Sequence, residues 1–486
     1  MKFRRYNYFS KQNFIGHGGY FELGKVAYPL IILGASNVIM MFCDRLMLGR
    51  ASTAYMNAAL PAGATYFTFF CFYLVMCGFT SALVAQLFGA KRLHECAQAA
   101  WNGFYLAIGV ALIIGFINPF FTHMVIDLSL SPEVTAAAHR YLEGMRFSGV
   151  FACLSAPLWG FFSGRGITWP VAVVSCAVCA LNILLNYMFI FGNLGAPEWG
   201  AFGAGVATTL SGAVGFMAAA VFFVASHSKA LPTLKLRRFR LDFVKKIVYF
   251  GTPAGMQVLF ELASFTLLTL LVGKMGADTG DDLPLTVTSI ALSINNLSFS
   301  PLLGISDATA IVVGQYIGRG RPAIASRATY RAWRAAMLYM LFCAAVYLLF
   351  PRELASLFRE AGSSDAAFAD VLEAIVPIMV CAALFNLSDA VKYVFMGGLR
   401  GAGDTKCIFY LVSGAQWIFM VPGLFVLTMW FNVSVIGIWI FLIFCSTLEG
   451  GLIYWRYRSN KWRNIKLIDA HPENMVPLEE CEHIIY

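Results

Sequence analysis

The stretch KKIVYFGTPAGMQVLFELASFTLLTLLVGK, residues 245–274, decides the fold. Between Lys246 and Lys274 it is predominantly apolar and carries one charged side chain, Glu261. At about 1.5 Å per residue the run is long enough to cross a hydrocarbon core of about 30 Å, with Glu261 about 22 Å beyond Lys246 and about 20 Å before Lys274. A lysine-bounded apolar run of this length reads as a membrane-spanning helix. A carboxylate at its middle costs about 2.5–3.5 kcal/mol or more to place there, so it calls for a reason.

Comparable runs recur along the chain, near residues 25–49, 64–88, 97–118, 141–163, 168–191 and 202–225. After the basic linker come 247–273, 285–313, 326–350, 371–397, 407–430 and 435–455. The expected fold is therefore an all-α polytopic membrane protein with 12 transmembrane helices in two six-helix lobes. Its parts are a tail (1–24), a first lobe (25–226), a linker (227–246), a second lobe (247–457) and a second tail (458–486). Composition agrees: 59% of the 486 residues are hydrophobic and 13% charged, against about 25% charged in soluble domains. Such a chain cannot clothe itself for water, which excludes disordered, collagenous, disulfide-scaffold and ordinary soluble-enzyme classes.

With the N-terminus in the cytoplasm, most of the 35 Lys and Arg fall on the inner side, in clusters at Lys229–Lys246, Arg319–Arg334 and Arg456–Lys466. That asymmetry places both termini in the cytoplasm. The net charge of +9 then suits anionic inner-leaflet headgroups and needs no nucleic-acid partner. Residues 1–24 lack the short apolar core and cleavage site of a signal peptide. Most of the 12 Cys lie in apolar runs, and the Cys176/Cys179 pair sits on a continuous apolar stretch, so they read as buried thiols rather than a redox motif. The seven His are scattered, and no metal site is expected.

The halves resemble each other. Pro29, Gly49 and Arg50 correspond to Pro253, Gly273 and Lys274; Gln86, Gly89 and Arg92 to Gln315, Gly318 and Arg321; Arg165 and Gly166 to Arg400 and Gly401; and Gly203 to Gly437. The order is kept and the offset drifts slowly, which is the mark of a repeat. Six spans per copy is even, so the copies share one orientation, as parallel repeats in transporters do. The Gly200/Gly203/Gly205 cluster enters an apolar span with no strand before it, and so reads as close helix packing rather than a nucleotide fingerprint.

Ionisable residues inside spans are the candidate site. Besides Glu261, Asp389 lies about 16 Å before Arg400 and Asp307 about 18 Å before Arg319, both near mid-span. Asp44 lies nearer the outer side, about 28 Å past Lys25. Buried acids disfavour the ionised form and one another, so such a set suits a bound proton, Na⁺ or organic cation. The competing reading is a structural ion pair, for Asp44 beside Arg45 and for Asp389 one turn from Lys392. Glu449, about 10 Å from Arg456, reads as interfacial. Asn182 and Asn186, spaced i, i+4, and Asn386 are supporting polar groups, with interhelical hydrogen bonding the plainer account of them.

Four stretches then carry a family likeness: CDRLMLG (43–49), GTPAGMQVLFE (251–261), GQYIGRGR (314–321) and GGLRGAGDTK (397–406). Over about residues 25–455 the chain resembles the multidrug and toxic compound extrusion (MATE) family of cation antiporters. The resemblance implies a two-lobe, 12-helix exporter of small amphiphilic or cationic compounds, driven by inward Na⁺ or H⁺, with no cofactor and no enzymatic activity. The family's N-lobe acid falls on Asp44, and the acids of its bacterial sodium-coupled branch fall on Glu261 and Asp389. Asn186 stands where many members carry a helix-5 Asp, and neither Lys392 nor Asp307 belongs to the family pattern. A monomer in a prokaryotic inner membrane is expected, in contact with membrane lipid. The alternatives are a flippase for lipid or lipid-linked sugar, which would want a strongly basic cavity, and a membrane-embedded enzyme, for which the longest outer insertion, Asp278 to Pro284, is too short.

Overall fold

This computed structural model describes residues 16–116, 120, 132–228, 232–279, 283–358, 365–431 and 433–468. Lys229 of the basic linker, residues 280–282 of the acidic outer insertion and most of both tails lie outside the described residues. Within them, twelve helices are long and apolar enough to cross a membrane: α1 Tyr20–Ala51, α2 Thr53–Gly89, α3 Leu93–Phe116, α4 Glu133–Gly164, α5 Trp169–Phe191 and α6 Ala201–Ala225, then α7 Leu241–Met275, α8 Leu283–Gly318, α9 Pro322–Leu349, α10 Phe368–Ala402, α11 Thr405–Met429 and α12 Val435–Arg458. No strand occurs among the described residues. Large apolar side chains such as Leu112, Val173, Val221, Leu338, Ile418 and Ile440 stand exposed on these helices, which lipid tolerates and water would not.

The chain divides into two compact units. One comprises Tyr28–Leu259, Gly314–Arg321 and the described chain from Lys466; the other comprises Phe260–Val313, Pro322–Ile465 and the described chain up to Ala27. The division falls inside α7, one residue before Glu261. A continuous helix carries the chain from one unit to the next, so no change of composition marks the boundary.

In the first unit, glycines set the helix spacing. A Cβ on Gly205 of α6 would meet the backbone carbonyl of Tyr141, one on Gly144 of α4 the carbonyl of Phe202, and one on Gly203 the carbonyl of Phe189. Close packing is thus what the glycine cluster at the start of α6 provides. The repeated Gln-x-x-Gly motifs meet reciprocally: a Cβ on Gly89 would strike the Gln315 carbonyl, and one on Gly318 the Gln86 carbonyl. Both motifs end in the same turn. Lys91 and Gly320 take left-handed backbone angles (φ 62° and 68°), and the next amides return to Leu87 (2.9 Å) and Tyr316 (2.8 Å). Gly320 adopts this angle freely and Lys91 at some cost.

In the second unit α10 packs on α9 and α12. Its GGLRG stretch fits closely against neighbours: a Cβ on Gly397 or Gly401 would collide with the carbonyls of Ser306 and Ala310 on α8. Small residues four apart on both helices allow that approach. The turns closing α4 and α10 also correspond, with Gly166 (φ 80°) and Gly403 (φ 89°) in left-handed positions. This pairs Gly166 with Gly403, two residues beyond the match read from sequence.

Gly205→Leu forces a side chain into the Tyr141 backbone. It is expected to cost about 1–3 kcal/mol, the usual range for overpacking, and to lower the apparent melting temperature of the detergent-solubilised protein. Gly109→Leu, where nothing lies within 4 Å, should leave it unchanged. Fluorescence-detected size-exclusion after heating reads both.

Candidate functional site

Three helices of the second unit bring their ionisable residues to one point. Lys392 on α10 places its Nζ 3.1 Å from Oε1 of Glu261 on α7 and 3.0 Å from Oε2 of Glu449 on α12. The same Nζ lies 3.8 Å from Oδ1 of Asp389, one turn back on α10. An ammonium has three N–H donors and no acceptor, so one lysine faces one carboxylate per donor. All four residues are buried, with exposures of 2% (Lys392), 3% (Asp389 and Glu449) and 8% (Glu261).

Neutral groups complete the cluster. The Tyr393 hydroxyl donates a short hydrogen bond to Oε1 of Glu261, and its ring lies 4.6 Å from the ammonium, within cation–π range. The Ser446 hydroxyl donates to Oδ1 of Asp389 at 2.9 Å. Glu261 thus accepts from two donors and Asp389 from Ser446, beside the ammonium; Glu449 is hydrogen-bonded by Lys392.

The expectation for Glu449 is corrected. It is not interfacial but part of the buried cluster. Counting residues back from Arg456 gives height along the helix, whereas burial here is lateral, imposed by α7 and α10. Glu261, which has no basic neighbour on its own helix, receives one from α10. Asp307 is not gathered with these acids; its side chain is more than half exposed and pairs with Arg400 at 3.4 Å. Asn386 is buried on α10, one turn before Asp389.

The first unit holds its own, simpler polar site. The Asn186 amide of α5 donates a short hydrogen bond to Oδ1 of Asp44 on α1, and donates also to Oδ1 of Asn182 at 3.1 Å. Asn182 reaches Ser211 of α6 at 3.5 Å. The i, i+4 asparagines therefore form one chain of amides leading to Asp44, and both are buried.

Sequence reasoning missed Glu449, Tyr393 and Ser446 as members of the cluster. Glu449 carried a usable signal, a lone charge flanked by apolar residues and two glycines in CSTLEGGLIYW (445–455). Tyr393 and Ser446 carried none.

Twelve helices long and apolar enough to span, with ionisable groups gathered inside them, define a polytopic membrane protein, and the family it belongs to makes it a transporter. The chain belongs to the MatE family, whose model matches residues 29–188 and again 253–426. The matches begin on the two prolines that the internal repeat had placed in register. A probable multidrug resistance protein NorM of Bradyrhizobium diazoefficiens is 29% identical over 447 residues, 90% of this chain and 92% of its own length. The multidrug resistance protein NorM of Aliivibrio fischeri is 26% identical over 432 residues, covering 86% and 90%. Among solved structures, a MOP superfamily transporter from Pyrococcus furiosus matches with a TM-score of 0.81 at 18% identity, over 90% of this chain and 95% of that one. A eukaryotic MATE transporter, AtDTX14, matches at 0.77 with 19% identity, over 91% and 96%.

Removing one partner from a buried ion pair leaves the others uncompensated and typically costs about 3–5 kcal/mol. Lys392→Met is therefore expected to be strongly destabilised at neutral pH and to regain stability as the pH falls, because protonation removes the stranded negative charges. Glu449→Gln, which lowers the excess of negative charge, should be far milder. Apparent melting temperatures across a pH series check both.

Proposed function

We propose that this chain is a secondary active multidrug exporter that exchanges small amphiphilic or cationic compounds for an inward-moving H⁺ or Na⁺. The observation that carries the reading is the buried cluster of Glu261, Asp389 and Glu449 around Lys392. Its three carboxylates outnumber its one ammonium, an excess of negative charge that a further cation would relieve. The relatives named as multidrug resistance proteins support the substrate class. Asp44, with its amide partners, is the second acidic position in this proposal, and Asp307 is a lesser one.

The two repeats alternate access to the two membrane faces, driven by an ion that binds one state better than the other. Both termini lie in the cytoplasm, and the protein works as a monomer in a prokaryotic inner membrane, in contact with lipid. A flippase for lipid-linked sugars would want a basic cavity, and the one lysine inside the second unit's cluster faces acids.

Ethidium uptake into proteoliposomes, under an imposed pH gradient and separately under a Na⁺ gradient, tests the proposal. Wild type should accumulate ethidium under at least one gradient. Glu261→Gln and Asp389→Asn should each lower gradient-driven uptake at least tenfold while eluting as folded protein. Normal coupled uptake by both variants would sink the mechanism.

A further inference from the structure

We propose that Lys392 fills the cation position of this cluster permanently, and that the exchanged ion is therefore a proton, carried on Glu449, rather than Na⁺. The inference rests on the antiport reading above and specifies its ion. The ammonium already stands where the three carboxylates converge, 3.0 Å from Glu449, 3.1 Å from Glu261 and 3.8 Å from Asp389. A sodium ion sharing those oxygens would lie directly against a like charge. It would also have to displace a side chain tethered to α10, whose local concentration no free ion matches. A proton has neither difficulty, because it bonds to a single carboxylate oxygen and leaves the ammonium in place.

Donor geometry selects the carrier. Glu261 accepts hydrogen bonds from both Lys392 and the Tyr393 hydroxyl, and Asp389 accepts one from the Ser446 hydroxyl with the ammonium beside it. The hydrogen bond that fixes Glu449 comes from Lys392 through Oε2. When Glu449 takes a proton, the ammonium still has two carboxylates to face. The charged and titratable groups around Glu449 among the described residues are Lys392 and Asp389 on α10, Glu261 on α7 and Cys445 on its own helix. With no other cation among them, Lys392 is the residue that sets the choice of ion.

The test uses the full-length protein in proteoliposomes with ethidium as the transported probe. Wild type is expected to respond at least fivefold to a pH gradient and less than twofold to a Na⁺ gradient at equal pH. Glu449→Gln should flatten the dependence of uptake on pH, and Glu449→Asp should restore it. Lys392→Gln should gain a response to the Na⁺ gradient, while Lys392→Arg should not. Where Lys392→Gln does not fold, binding of ²²Na⁺ to purified wild type decides, and no saturable binding is expected. Na⁺-driven uptake by wild type, saturable ²²Na⁺ binding, or a retained pH response in Glu449→Gln would each overturn the inference while leaving a cation-coupled exporter standing. Wild-type protein that answers neither gradient would overturn the antiport reading, and this inference with it.

Discussion

The second unit depends on one ammonium. In a membrane interior, a charge without a partner is the most expensive thing a helix can carry, and here three carboxylates converge on Lys392 from three helices. Electrostatic attraction strengthens as the local dielectric falls, so this lysine holds α7, α10 and α12 together more specifically than apolar contact does. Lipid is as apolar as leucine, and burial of aliphatic side chains gives membrane helices little reason to prefer one another. The polar cluster supplies that preference, and it fixes rotation as well as proximity, because each carboxylate must face inward.

Such convergence requires helix backbones to come close, and the glycines permit it. Gly450 follows Glu449 directly, and a Cβ there would stand 3.3 Å from the Ser388 carbonyl and 3.7 Å from the Lys392 amide nitrogen. α12 therefore lies close to α10 at the level of the cluster. About one and a half and two and a half helical turns beyond Lys392, Gly397 and Gly401 bring α10 against α8 in the same way. The GGLRG stretch that carried part of the family likeness thus has a packing role, while the chemistry sits on the preceding turns of the same helix. Asp404, just past that stretch, is tied by a 2.7 Å ion pair to Arg456, which fastens the end of α10 to the end of α12.

Much of this was legible in sequence. Apolar run length gave all twelve spans, and counting along α7 and α10 picked out Glu261 and Asp389 as mid-membrane acids. Height along a helix is readable because the rise per residue is fixed; lateral position is not, because it depends on which face a neighbour covers. That is why Glu449 read as interfacial and Asp307 as a member of the cluster. It is also why the partner of Glu261, a lysine 131 residues later, was invisible from its own helix, although Lys392 itself was conspicuous. The asparagine pair at Asn182 and Asn186 was readable as one helix face, and its direction toward Asp44 was not.

The two polar sites differ in what they can do. Asp44 is hydrogen-bonded by one neutral amide, that of Asn186, which no change of charge on Asp44 would leave as an unpaired ion. The cluster is different: its lysine bridges three helices, and a change of charge on any one acid alters how the ammonium is shared among the rest. In the proposed mechanism, protonation of Glu449 removes the charge on α12 that Lys392 holds, while the bond from Lys392 to Glu261 of α7 and that from Ser446 to Asp389 remain. In that proposal, loading of a proton would favour one of two helix arrangements over the other. That is what coupling requires, since an ion bound equally well by both states would shift neither. On the proposal made above, a cage already containing its own cation uses an ion that neutralises an acid rather than one that occupies the cage, and the proton is that ion.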